Sequence, residues 1–287
     1  MNFGVMFVNV GPLGEPDTFK LLAQTAEKAG FESLWTVEHS VVPVGYKSTY
    51  PYDPSGKMPL PDDMALLDPV LPLVYAAAVT EKIRLGTGIL ILPQRHPIYV
   101  AKEFATLDML SKGRAILGIG VGWLEEEFRA LGIEFADRAS RTRESVDAIR
   151  TLWKPGAHSF EGKFFRWPSI ESNPKPVQKP GVPIVVGGHT EIAARRAARY
   201  GDGFFPGSDL ETVKSLLGIL RDECAKVGRK PEEIEITSMA PAPDVDAIRR
   251  LADIGVHRVT LPPPGFDVGS IKSGLDQIEK NVIAKLR

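Results

Sequence analysis

Ile83-Arg84-Leu85-Gly86-Thr87-Gly88-Ile89-Leu90-Ile91-Leu92 carries an apolar strand into a glycine-rich bend, and Pro97 opens a helix soon after. Ala115-Ile116-Leu117-Gly118-Ile119-Gly120-Val121-Gly122-Trp123 repeats the plan before Glu125-Glu126-Glu127. Pro183-Ile184-Val185-Val186-Gly187-Gly188-His189-Thr190 repeats it a third time. Glycine weakens a strand unless a ligand or another length of backbone comes close. Three such strand ends suggest a flat or anionic ligand resting against bare main chain.

Outward from these segments the chain alternates strand and helix. Strands are expected at 3–8, 34–37, 84–92, 115–119, 184–186, 203–205, 234–238 and 256–261. Phe19, Leu22, Ala23 and Ala26 mark one buried helix face, and Val213, Leu216, Leu217 and Leu220 another. Gly30, Gly201 and Gly255 each close a helix just before a strand, where a left-handed glycine is favoured. Alternation alone does not separate a closed barrel from a doubly wound sheet. Eight strands with intervening helices point to the α/β class and a (β/α)8 TIM barrel, as one domain over residues 1–287. Two stretches interrupt the pattern. Residues 40–69, after strand two, hold Tyr46, Tyr50, Tyr52 and a run of prolines, and read as a lid. Residues 158–182, before strand five, read as an insertion with a small hairpin and a proline-rich return.

Composition sets limits on partners. The chain has 287 residues, 43% hydrophobic and 25% charged, with a formal net charge of −1. That balance gives no reason to expect nucleic acid or a membrane surface as partner, and no apolar run approaches the roughly 20 residues of a membrane span. A small-molecule substrate and a cytoplasmic location are expected. The single cysteine, Cys224, excludes an internal disulfide framework and falls on a helix's apolar stripe. No Cys/His cluster predicts a metal, and no Gly-x-Ser-x-Gly elbow predicts a serine hydrolase. The Gly118–Gly122 run lacks the third glycine of a dinucleotide fingerprint.

Active groups of a barrel gather at the carboxyl ends of its strands. Asn9, Glu38, His39, the Gly86–Ile89 segment, residues 94–96 and the two later glycine turns fall there. His39 is the foremost catalytic candidate, because imidazole exchanges protons near neutral pH; hydrogen bonding to the lid backbone is its other reading. His96 and Arg95 share that rim, and His96 is a candidate for substrate contact, as is Tyr46 in the lid. His257 and His158 read as structural and solvent-facing, respectively. Gly187-Gly188-His189-Thr190 opens a helix whose amides and dipole suit an anion, although Thr190 also serves as a cap. Glu125–Glu127 read as a solvated first turn, and Arg138, Arg141 and Arg143 as partners of nearby acids or of a charged cofactor tail.

At these strand ends the sequence resembles the luciferase-like monooxygenase superfamily, and within it the branch of coenzyme F420 (deazaflavin)-dependent oxidoreductases. The likeness runs through 3–9, 34–39, 83–93, 118–128, 173–178, 183–189 and 201–205. It implies a flavin or deazaflavin at the barrel mouth, F420 foremost and FMN as the alternative, seated by Glu38, Thr87, Gly88, Ile89, Gly120, Gly122, Gly187, Gly188, His189 and Thr190. It also implies a cis peptide between Gly88 and Ile89 and a homodimer. Relatives usually carry Asp-His where this chain has Glu38-His39. The glutamate some of them use as proton donor aligns with Trp123, which here is expected to shape the substrate pocket. The expected reaction is hydride transfer between deazaflavin and a small organic substrate, with His39 handling the proton. An FMN-dependent monooxygenase, a non-catalytic flavin-binding barrel and a metal-assisted hydrolase are the alternatives.

Overall fold

The computed structural model describes residues 1–61 and 63–286. Its main-chain elements, in order, are β1 (Asn2–Val5), α1 (Pro16–Lys28), β2 (Ser33–Thr36), α2 (Leu71–Val79), β3 (Arg84–Thr87), β4 (Leu90–Ile91), α3 (Pro97–Leu110) and β5 (Ala115–Gly120). There follow α4 (Glu125–Ala130), α5 (Arg138–Trp153), β6 (His158–Glu161), β7 (Arg166–Ile170), β8 (Ile184–Gly187) and α6 (Glu191–Tyr200). The chain continues through β9 (Gly203–Phe205), α7 (Leu210–Val227), β10 (Glu235–Met239), α8 (Val245–Asp253), β11 (Arg258–Leu261) and α9 (Val268–Ile278). All pairings in the main sheet are parallel, and β3 pairs with both β2 and β5, which closes the sheet into a (β/α)8 barrel. β6 and β7 form a separate antiparallel hairpin, as expected for the insertion.

The expected third strand is one stave broken in two. Gly86 faces Ile116 and Leu90 faces Ile119, so this stave holds one more residue than its neighbour over the same stretch. That is a β-bulge, and the Gly88–Ile89 peptide within it is cis, as the resemblance implies. The first strand is shorter than expected, because Phe7 adopts a left-handed φ of 61° and cannot continue the ladder. Gly30 and Gly255 close their helices at φ of 81° and 99°. Gly201 does not: it is extended at φ −82°, and a β-carbon there would lie 2.8 Å from the Gly203 carbonyl. At that junction glycine provides space rather than a left-handed turn.

Apolar residues divide into two cores. The larger lies between staves and helices; the smaller fills the bore with Met6, Trp35, Ile116, Val185 and Phe205. Trp35 dominates the bore, its indole N–H donating to Ser33 Oγ at 2.8 Å and its ring meeting Phe205 edge-on at 5.9 Å. A β-carbon on Gly86 would come within 2.8 Å of that ring, so this glycine makes room for tryptophan and not for a ligand. At the amino-terminal end of the barrel, buried Arg258 is paired with Glu32 through two hydrogen bonds of 2.7 and 2.8 Å and also meets Glu235. Cys224 is buried on α7, and His257 accepts the Ile236 amide at 3.0 Å; both are structural.

Candidate active site

Phe7, Val37 and Met239 are half-buried against the bore residues and, with half-buried Ile89 of the bulge, give the barrel mouth an apolar floor. His39 stands at the rim just past β2. Its Nδ1 lies 2.9 Å from Glu127 Oε2, and its ring meets Trp123 edge-on with centroids 5.5 Å apart. Tyr46 and Tyr50 of the lid also pack edge-on against Trp123, at 5.5 and 5.1 Å. Burial, then the neighbouring Tyr52, Asp53 and Tyr46, pushes the Tyr50 hydroxyl up to about 12, so at neutral pH it is a hydrogen-bond donor. Three of the expected site residues, His39, Trp123 and Tyr46, are therefore brought together.

The acidic triplet is not a solvated turn. Glu127 is 0% exposed and accepts the Ser40 amide at 2.6 Å besides meeting His39. Glu126 accepts the amide and hydroxyl of Ser48 and the Lys47 amide, at 3.2, 2.6 and 2.7 Å. Those bonds hold the Glu126 carboxyl down at about 2, well below its ordinary value. Only Glu125 fits the expectation, being exposed and paired with Arg129. The sequence does hold a signal for Glu127: Leu124, Glu127 and Phe128 share one helical face, and both apolar members are fully buried.

Glu38 points away from the mouth. One carboxylate oxygen accepts Nε and Nη2 of Arg95 at 2.8 and 2.5 Å, and the other accepts the Ile91 amide just beyond the bulge. Its partners make it a tie between β2 and β4, which replaces the expected cofactor contact. Asn9 is likewise a clamp, donating to the carbonyls of Val37 and Leu67 at 2.8 Å each. Arg141 donates to the Pro93 carbonyl at 2.9 Å, and Arg138 lies 3.8 Å above the Phe135 ring. His96 caps α3 through the Ile98 amide and packs on Phe165 and Trp167 of the hairpin, at 5.2 and 6.4 Å. It belongs to that aromatic group and not to the group around His39. His158 bonds the Pro155 carbonyl at 2.9 Å and is partly exposed.

The glycines at the staves' ends have a different cause from the one expected. A β-carbon on Gly118 would stand 1.8 Å from the Thr87 carbonyl oxygen, and β-carbons on Gly120 and Gly187 would meet the Ile89 side chain at 2.5 and 2.6 Å. They seat the bulge. Gly88, Ile89 and Gly122 are left half-buried at this end of the barrel. At the third turn Gly188 adopts φ 140°, Thr190 accepts the Ala193 amide at 3.3 Å, and Tyr52 of the lid lies 4.2 Å from the His189 ring. Crowding by protein atoms lowers the His189 pKa. Thr190 thus caps α6. The loop after β2 lays Tyr50 on Trp123 and Tyr52 on His189, which follow the adjacent staves β5 and β8. Among the described residues no group of three His, Cys, Asp or Glu side chains converges as a metal site, and no helix is long and apolar enough to cross a membrane.

The class that the fold defines is a closed (β/α)8 barrel, with a bulge in its third stave and His39 at the mouth. The chain belongs to the luciferase-like monooxygenase family, whose profile matches residues 1–251. An uncharacterized protein of Mycobacterium tuberculosis is 32% identical over 92% of this chain and 94% of its own. An FMNH2-dependent dimethylsulfone monooxygenase of Pseudomonas putida is 31% identical over 74% of this chain and 54% of its own. An F420-dependent glucose-6-phosphate dehydrogenase of Nocardia farcinica is 35% identical over 57% and 51%. Among solved structures, an F420-dependent secondary alcohol dehydrogenase superposes with a TM-score of 0.79 at 20% identity, covering 99% of this chain and 98% of that one. Monooxygenase RslO1 of Streptomyces bottropensis gives 0.78 at 24%, covering both chains fully. These superpositions establish the fold.

Proposed function

We propose that this protein is an F420-dependent oxidoreductase acting on a small organic substrate. The observation that carries this reading is a buried carboxylate holding a histidine at the rim of an apolar mouth. The floor of Phe7, Val37, Ile89 and Met239 suits the face of a tricyclic ring, and Gly88 and Ile89 would lie behind it. His189 and Thr190, at the amino end of α6, would take its phosphate through main-chain N–H groups and the helix dipole, while the Gly188 N–H is given to the Phe205 carbonyl at 3.1 Å. When bound, deazaflavin supplies hydride donation or acceptance. The chain's own part is to orient and to move a proton. Trp123, Tyr46 and Tyr50 wall the substrate space and exclude water, and His39 gives or takes the proton that accompanies the hydride.

Titration of the purified protein with F420 and with FMN, each oxidised and reduced, tests the cofactor assignment by fluorescence. Saturable F420 binding at micromolar concentration is expected. Saturable FMN with oxygen uptake and no binding of F420 overturns it in favour of a monooxygenase, the reading that the dimethylsulfone monooxygenase relative favours.

The proposal includes a homodimer. Leu71 and Tyr75 on α2 and Tyr99 and Met109 on α3 are 70%, 38%, 69% and 57% exposed on neighbouring outer helices, and offer the apolar surface for such a pairing. Sedimentation equilibrium is expected to give twice the chain mass, and Tyr99→Arg with Leu71→Arg to give one chain mass. A monomeric wild type would refute the pairing.

A further inference from the structure

We infer that Glu127 is the positioning residue that fixes the tautomer of His39, holding the ring proton on Nδ1 and leaving Nε2 as its only free base. This role rests on the reading of His39 as the proton-handling group. The argument begins with Glu127's two oxygens. Oε1 accepts the amides of Ser40 at 2.6 Å and Val41 at 3.3 Å, while Oε2 faces His39 Nδ1 at 2.9 Å. An ionised carboxylate can only accept hydrogen bonds, so Nδ1 must donate. A neutral imidazole that donates from Nδ1 carries its lone pair on Nε2. The ring's side chain is 9% exposed and Glu127's 0%, so solvent competes little for this bond. The groups facing the pair are few. Trp123 borders the ring on one side, and Glu38, paired with Arg95, is a charge that acts on Glu127. The same carboxylate fixes the lid's root, since Ser40 and Val41 are the lid's first residues. Ring orientation and lid entry thus share one anchor.

Glu127→Gln separates this role from mere packing. Both amides of the lid root point at the first oxygen, so the glutamine carbonyl stays there and its NH2 turns to His39. Nδ1 must then accept, and the ring proton moves to Nε2. Nitrogen-15 NMR of histidine-labelled, cofactor-loaded protein reads the tautomer directly, with His39 assigned by signals absent in His39→Asn. The wild type is expected to be protonated at Nδ1 and Glu127→Gln at Nε2, with turnover down about 100-fold at little-changed KM. Glu127→Asp is expected to restore the Nδ1 proton and part of the turnover. A wild-type ring protonated at Nε2, or a tautomer unmoved in Glu127→Gln, overturns the assignment. An inverted tautomer with unchanged turnover supports Glu127's hold on the ring and overturns instead the reading of His39.

Discussion

Gly118→Ala is expected to cost about 4 kcal/mol or more of folding stability, a size seen only when a specific packing or backbone feature is broken. The new methyl would sit 1.8 Å from the Thr87 carbonyl oxygen, a backbone atom that no rotamer change can withdraw. Thr87 Oγ1 also donates to the Gly118 carbonyl at 2.7 Å, which pins the two staves together at this point. Relief would require the third stave's bulge to move out of the barrel wall. Gly218→Ala serves as the control, because Gly218 lies within α7 with nothing in reach of an added carbon. There alanine should stabilise by roughly 0.5–1 kcal/mol through helix propensity. Urea unfolding of both variants measures the contrast. A loss under about 1 kcal/mol in Gly118→Ala would mean the bulge is not seated on this glycine.

His39→Ala is expected to lower turnover by roughly 10²–10⁴-fold, the range for a positioned acid–base group, while cofactor affinity changes about threefold at most. The split follows from where the ring is tied. Among the described residues the ring is tied to Glu127 and Trp123 rather than to the floor residues or the turn before α6 that would hold the cofactor. Single-turnover kinetics with a cofactor titration on the same preparation separates the two quantities. Matched losses in both would recast His39 as part of the cofactor seat, and unaltered turnover would remove it from the chemistry.

Much of the architecture could be read from the chain because it is written in local periodicity. Glycine-ended apolar runs and one-faced helices specify alternating strand and helix, and the aromatic, proline-rich stretch after strand two stands out as a long irregular connection. His39 is visible because it follows a strand end. The reasons behind the glycines were not legible. Gly118, Gly120 and Gly187 answer to Thr87 and Ile89 on another stave, and nothing nearby in the chain reports that approach. Glu127 escaped for a related reason: it is 88 residues from its histidine, and three adjacent glutamates look like a charged helix start. Its neighbours Leu124 and Phe128 mark the inward face, but a carboxylate on that face has meaning only once its partner is known. The resemblance places Glu38 at the cofactor, whereas its carboxylate is taken up by Arg95 and the Ile91 amide, partners 57 and 53 residues away that the local sequence does not announce.

The loop over the mouth is moored at both of its ends. Glu126 and Glu127 fasten residues 40, 41, 47 and 48, while Asn9 grips Leu67 and Thr36 donates to the Pro69 carbonyl. Between these ends the loop meets the mouth through two rings, Tyr50 on Trp123 and Tyr52 on His189. Exchanging those two rings would alter which molecules are admitted while the carboxylates that fasten the histidine and the loop's root stay in place. The chemistry and its clientele are under separate hereditary control.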